Sequence, residues 1–258
     1  MRESFSYLIR SKYLMSLAFI VIAYNLVINL VEVVWKHEVH ELYPDPSDYS
    51  LYMNQITILI ACIATFTALF ISGNSVRKLG WTFTAMVTPV ILFITSVGFF
   101  GCFIMKEYGS DLLPGLAMGV SPLALAVFFG SAQNIVSRAA KYSVFDATKE
   151  IAFVPLPRDV QLKGKAAIDG VGARLGKSSG SLIHQSLLLT LASFTASAPY
   201  VGGFLLVIIA LWMIAVRVMG EQFNLLTSPV LQPQSDVTSR PLPEEEEVPA
   251  AALNQQAV

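Results

Sequence analysis

Four polar side chains interrupt a long apolar stretch near the start of the chain. Asn25, Asn29, Glu32 and Lys36 follow one another at spacings of 4, 3 and 4 residues among Leu, Ile and Val. At about 100° per residue they share a wedge of roughly 60° on a helix, with Ala18 on the same line two turns earlier. An ionisable group at mid-depth in a bilayer costs at least ~2.5–3.5 kcal/mol, so Glu32 needs a partner or a water-filled space. Two asparagines acting as interhelical glue and one local Glu32–Lys36 pair would be the plainest account. A full stripe of four exceeds what glue requires.

A second pattern follows Pro155 and Pro157. Read as one helix, Lys163, Gly170, Arg174, Lys177, Ser181, His184 and Gln185 fall within about 100°. Gly172, Gly176 and Gly180 recur every fourth residue on the opposite side, where they let a neighbouring helix come close. Lys165 and Asp169 share that side and are spaced as an i,i+4 ion pair, in the less favourable Lys-first order. Asn134, Arg138 and Lys141 form a third line, with Lys149 and Glu150 just beyond. Lysines snorkelling to lipid headgroups account for Lys163, but poorly for Arg174, Lys177 and His184, which march inward.

Basic faces on three helices can share one aqueous cavity. Fixed cations there offset the desolvation of an anionic solute carrying several charges. Within that cavity Glu32 is expected to hold an arginine or lysine while no anion is bound. No nucleophile–base pair stands out, so the pattern points to transport, with no cofactor, rather than to an enzyme.

Two motifs come close to known sites and miss. Gly172-Ala-Arg-Leu-Gly176-Lys177-Ser178 has three residues between its glycines where a phosphate loop needs four, and helix before it where the loop needs strand. His37-Glu38-Val39-His40 sets its histidines three apart, whereas the zinc-protease helix needs four. No metal site is expected.

The elements that must position these residues follow from composition. The chain has 258 residues, of which 54% are hydrophobic and only 14% charged. Soluble domains carry about 25% charged residues, so this chain cannot cover a water-facing surface and reads as an all-α, polytopic membrane protein. The balance of 17 Lys+Arg against 18 Asp+Glu argues against a nucleic-acid partner. Apolar runs predict six crossings at Tyr13–Trp35, Asn54–Ser72, Trp81–Met105, Leu116–Val136, about Ser179–Ser197, and Pro199–Met219. The first is too long for a signal peptide and lacks a cleavage site. Fifteen of the Lys and Arg residues fall on one side and only Lys36 and Lys106 on the other, which places both termini in the cytoplasm or its equivalent. The expected organisation is a cytoplasmic segment 1–12, a six-helix domain 13–220 and a disordered cytoplasmic tail 221–258, whose Glu244–Glu247 run is solubilising. Cys62 and Cys102 lie in apolar runs and form no motif.

Several longer motifs then carry a resemblance. Ser137-Arg-Ala-Ala-Lys-Tyr-Ser-Val-Phe-Asp-Ala-Thr-Lys-Glu150, Lys163-Gly-Lys-Ala-Ala-Ile-Asp169, Leu175-Gly-Lys-Ser178 and Asn29-Leu-Val-Glu-Val-Val-Trp-Lys36 resemble the non-mitochondrial ATP/ADP translocase family of plastids and obligate intracellular bacteria. The resemblance runs from about residue 5 to about 225 and implies a fold similar to the major facilitator superfamily. It also implies exchange of ATP for ADP and phosphate, in a bacterial inner membrane before a plastid inner envelope. Glu32 and the lysines of the 163–177 segment match charged positions needed for transport in the family. Members have twelve helices, and this chain matches only the C-terminal six. It is expected to be a fragment, or the partner of a separate N-terminal six-helix half. Other nucleotides or NAD as cargo, proton coupling, and a non-transporting half-carrier all stay open on the residues alone.

Overall fold

A computed structural model describes residues 11–70, 78–108, 121–191 and 193–227. The described residues contain helices and no strand. The helices are α1 (Lys12–Leu42), α2 (Pro46–Phe70), α3 (Trp81–Tyr108), α4 (Pro122–Ala140), α5 (Asp146–Phe153), α6 (Arg158–Ala167), α7 (Ala173–Leu191) and α8 (Phe194–Thr227). A π-turn over Lys141–Phe145 joins α4 to α5, and a second over Ile168–Gly172 joins α6 to α7. The described residues therefore form six rods. Segments 1–10 and 228–258, with the tail's acidic run, lie outside the described residues, as does the 116–120 start expected for the fourth crossing.

Rod boundaries are set by caps, which lie outside the apolar runs. Ser11 Oγ accepts the Leu14 amide, opening α1 at 3.4 Å. Asp45 accepts the Ser47 amide at 2.7 Å with Pro46 at the first helical position, so α2 begins eight residues before the expected Asn54. The same amide holds the Asp45 carboxyl below the usual carboxylate range. Ser121 Oγ accepts the Ala124 amide ahead of α4. The fifth and sixth rods meet at residues 191–194, where the sequence predicts a break at Pro199. Pro199 instead lies in the second turn of α8, a position where the loss of one amide donor is tolerated in a long apolar helix. The last helix continues to Thr227, which makes residues 221–227 helical.

Five of the rods are long and apolar enough to cross a membrane. The fifth, Arg158–Leu191, is long enough but too rich in Gly, Ser and charge to qualify by hydropathy. That is what one polar face does to a spanning helix. At about 1.5 Å per residue α1 measures about 46 Å, well beyond a hydrocarbon core of about 30 Å.

Helix α1 is the central post. Val27, Leu30 and Val34 lose all solvent exposure, and Tyr24 stacks on Phe145 of the first π-turn at 4.5 Å. Trp212 of α8 meets both rings edge-on. Helix α1 packs on α4, α7 and α8; α4 packs on α2 and α3; α3 packs on α8. Exchanging rods one to three for rods four to six maps these principal contacts onto themselves. Rods two and five are the flanking pair, and α2 buries only Ala64.

The glycine line of rod five lies against α1, as its spacing predicts. A Cβ on Gly176 would stand 2.6 Å from the Ile22 carbonyl oxygen, and one on Gly180 2.6 Å from Asn29 Oδ1. A Cβ on Gly170 would meet nothing within 4 Å. Gly176→Val and Gly180→Val are each expected to destabilise the bundle by about 1–3 kcal/mol through overpacking. Gly170→Ala should leave the thermal unfolding midpoint in detergent unchanged or slightly raised.

Candidate functional site

Glu32 sits partly buried on α1 where rods four and five approach it. Its Oε1 pairs with Lys36 Nζ at 2.8 Å, one turn further along, and its Oε2 accepts from Arg138 Nη2 of α4 at 3.2 Å. One carboxylate thus holds two cations from two helices. Asn29, one turn earlier, lies against Gly180, and its Oδ1 accepts weakly from Ser181 Oγ at 3.5 Å. Asn25 is one turn lower, beside Gly176, and donates to the Val21 carbonyl. The two asparagines therefore form the seam with rod five. Asn134 of α4 is buried and turns back to the Gly130 carbonyl.

Rod five carries its free cations beside this stripe. Ser181, which touches Asn29, stands one turn beyond Lys177 and shares its side of α7. Lys163, Arg174 and Lys177 are exposed, and among the described residues none has an ion-pair partner. No direct contact links Arg174 or Lys177 to Glu32. His184 leaves the polar face: it is buried, tilted against Phe194 at 4.9 Å. The segment is not one uninterrupted α-helix either. Its π-turn adds a residue to one turn, which rotates Lys163 relative to Arg174 and Lys177 by roughly 100°.

A second network lies where rods four and five begin and end. Lys141 Nζ pairs with Asp146 Oδ2 at 3.0 Å and stands over the Tyr142 ring, 4.4 Å from its centroid. Lys149 bonds Asp169 Oδ1 at 2.8 Å, and Lys165 bonds Glu150. The i,i+4 pair expected between Lys165 and Asp169 is therefore replaced by two bridges between rods. Asp169 lies in the π-turn, which spoils the i,i+4 register, and the Lys-first order offers little to hold it. Both π-turns contribute a charged residue here, Lys141 and Asp169, and such turns are often found at functional sites.

Sequence reasoning missed the opposite end of α1. Glu38 is fully buried, and Lys106 of α3 reaches it at 3.1 Å, Glu41 at 2.6 Å and Glu107 at 3.6 Å. Its signal was Lys106 itself, one of only two cations among six carboxylates on its side of the chain. Ligand-capable atoms of His37, Glu38 and Glu41 lie within 4.8 Å of one another, but Lys106 already bridges the two carboxylates. His37 stacks on Phe194 at 3.9 Å while His40 turns toward Tyr49, so the two histidines do not converge.

A bundle of this kind, with five helices long and apolar enough to cross a membrane among the described residues, is a polytopic all-α membrane protein. The chain belongs to the TLC ATP/ADP transporter family, whose model matches residues 1–223. It is 44% identical over 223 residues to "ADP,ATP carrier protein 1" of Chlamydia trachomatis serovar D, covering 86% of this chain and 42% of that protein. It is 45% identical over 225 residues to the "Plastidic ATP/ADP-transporter" of Solanum tuberosum, covering 87% and 35%. A chloroplastic "ADP,ATP carrier protein 2" of Arabidopsis thaliana is 43% identical over 227 residues, covering 88% and 36%. The chain spans less than half the length of these relatives. No solved structure matches it.

Breaking a buried ion pair by removing one member costs about 3–5 kcal/mol, because the other charge is left without compensation. Lys106→Met strands the Glu38 carboxylate and should lower the thermal unfolding midpoint sharply. The double variant Lys106→Met/Glu38→Gln should recover much of the loss.

Proposed function

We propose that this chain forms one half of an ATP/ADP exchange carrier. Its phosphate-binding cations are Lys36, Arg138, Arg174 and Lys177, and Glu32 is an internal counter-charge. The observation that carries this reading is the Glu32 carboxylate held between Lys36 and Arg138 beside a rod on which Arg174 and Lys177 have no ion-pair partner among the described residues. Four cations against one carboxylate leave three net positive charges for a polyphosphate. When the phosphates arrive they take Arg138 and Lys36, and when they leave Glu32 reclaims them. Glu32 therefore keeps Lys36 and Arg138 paired while no phosphate is bound. Lys163 and the bridged group of Lys141, Lys165 and Asp169 lie along the approach from the cytoplasmic end. Family membership and the names of the relatives support nucleotide as the cargo, with phosphate as a further solute. No step of this cycle needs a nucleophile or a cofactor, so the chain acts as a carrier and not as an enzyme.

Six rods whose contacts repeat under exchange of threes are the pattern of one half of a facilitator-type carrier, in which substrate binds between halves. The other half is an N-terminal six-helix unit, the setting is a lipid bilayer with both termini cytoplasmic, and a bacterial inner membrane is the favoured location. In liposomes the chain alone should not exchange labelled ATP for ADP, and adding the N-terminal half should restore exchange. Lys177→Ala should weaken ATP binding about tenfold, equal to about 1.4 kcal/mol. Glu32→Gln should tighten ATP binding several-fold while slowing exchange. Unchanged ATP affinity in both variants would contradict the reading.

A further inference from the structure

We propose that Tyr142 is the platform on which the nucleobase of the transported nucleotide stacks, an inference that rests on the phosphate-binding role given above to Arg138 and its neighbours. Rod four is packed on three sides by α1, α2 and α3, and its other aromatic residues near this level, Phe145 and Phe153, are buried. Tyr142 is the exception, with 52% of its surface exposed. It follows Arg138 by four residues and so stands about one turn, roughly 6 Å of helix axis, beyond it.

The surroundings of the ring are charged. Lys141 Nζ lies 4.4 Å from the ring centroid, and the same ammonium is tied to Asp146 Oδ2 at 3.0 Å. An aromatic side chain at a membrane boundary commonly serves as an interfacial anchor. A ring grouped with Arg138, Lys141 and Asp146 has instead the setting of a polar groove. The lysine covers one face and restrains the ring through the cation–π contact, so the surface for an incoming base is pre-oriented. A ribose separates base from phosphates, which suits one turn between ring and guanidinium.

Stacking reads the π-face of a base and is indifferent to the length of the phosphate chain. A platform of this kind grips a nucleoside diphosphate and a triphosphate alike, as an exchanger of the two requires. The phosphate cations alone would accept any polyphosphate.

Binding of ATP and of inorganic tripolyphosphate to the detergent-solubilised chain assembled with its N-terminal half separates the two contributions. The wild-type protein should bind ATP about tenfold more tightly than tripolyphosphate, the effect expected of one stacked base. Tyr142→Ala should bring ATP down to the tripolyphosphate level without changing tripolyphosphate, and Tyr142→Phe should retain the preference. An unchanged ratio in Tyr142→Ala, or an equal loss of both ligands, would overturn the stacking role and leave the phosphate site standing. Failure of the wild-type chain assembled with its N-terminal half to bind either ligand would overturn the phosphate site, and this inference with it.

Discussion

An ionised carboxylate cannot stand alone in a spanning helix, and α1 carries Glu32 and Glu38 six residues apart, with Glu41 at its end. Glu32 is met by Lys36 and Arg138, and Glu38 by Lys106. Each requirement recruits a different neighbour. Glu38 draws α3 in at one end of the post, with Glu41 and Glu107 sharing the same ammonium. Glu32 draws α4 in nearer the centre. The two pairs differ in what surrounds them. Glu38 is sealed from solvent, so its bond to Lys106 is permanent structure. Glu32 and Arg138 keep partial exposure, so their bond can be exchanged for one to a solute.

Much of this was legible in the sequence, and the rest was not for identifiable reasons. Apolar runs revealed the rods, because lipid imposes a length and a composition that a single segment must satisfy alone. The Gly172–Gly176–Gly180 line declared a close helix contact, since four-residue spacing of small residues has few other uses. The Asn25–Lys36 stripe likewise marked the face of α1 that meets rod five and Arg138. These are properties of one helix, and periodicity contains them.

Partner choice between helices is a different matter. Lys165 chose Glu150 over Asp169, and Asp169 chose Lys149, because a π-turn altered the register that the i,i+4 rule assumes. Nothing in the spacing of residues 163–177 signals that extra residue. The Glu38–Lys106 pair joins positions 68 residues apart, so only the folded arrangement reveals it. Helix starts went astray for a simpler reason: Asp45-Pro46 and Ser121-Pro122 are polar signals placed outside the hydrophobic stretches that were used to set the limits.

The seam between α1 and rod five has a mechanical property of its own. Knobs and holes lock most helix pairs into one register, but here one surface is smooth. Gly176 and Gly180 meet α1 one turn apart in nearly the same way. At those two points α1 meets no side chain of rod five to interlock with, so the register is held elsewhere: by the Lys149–Asp169 and Lys165–Glu150 bridges to rod four and by Ile168 in the hydrophobic core. The seam supplies closeness, and the neighbouring rod supplies position.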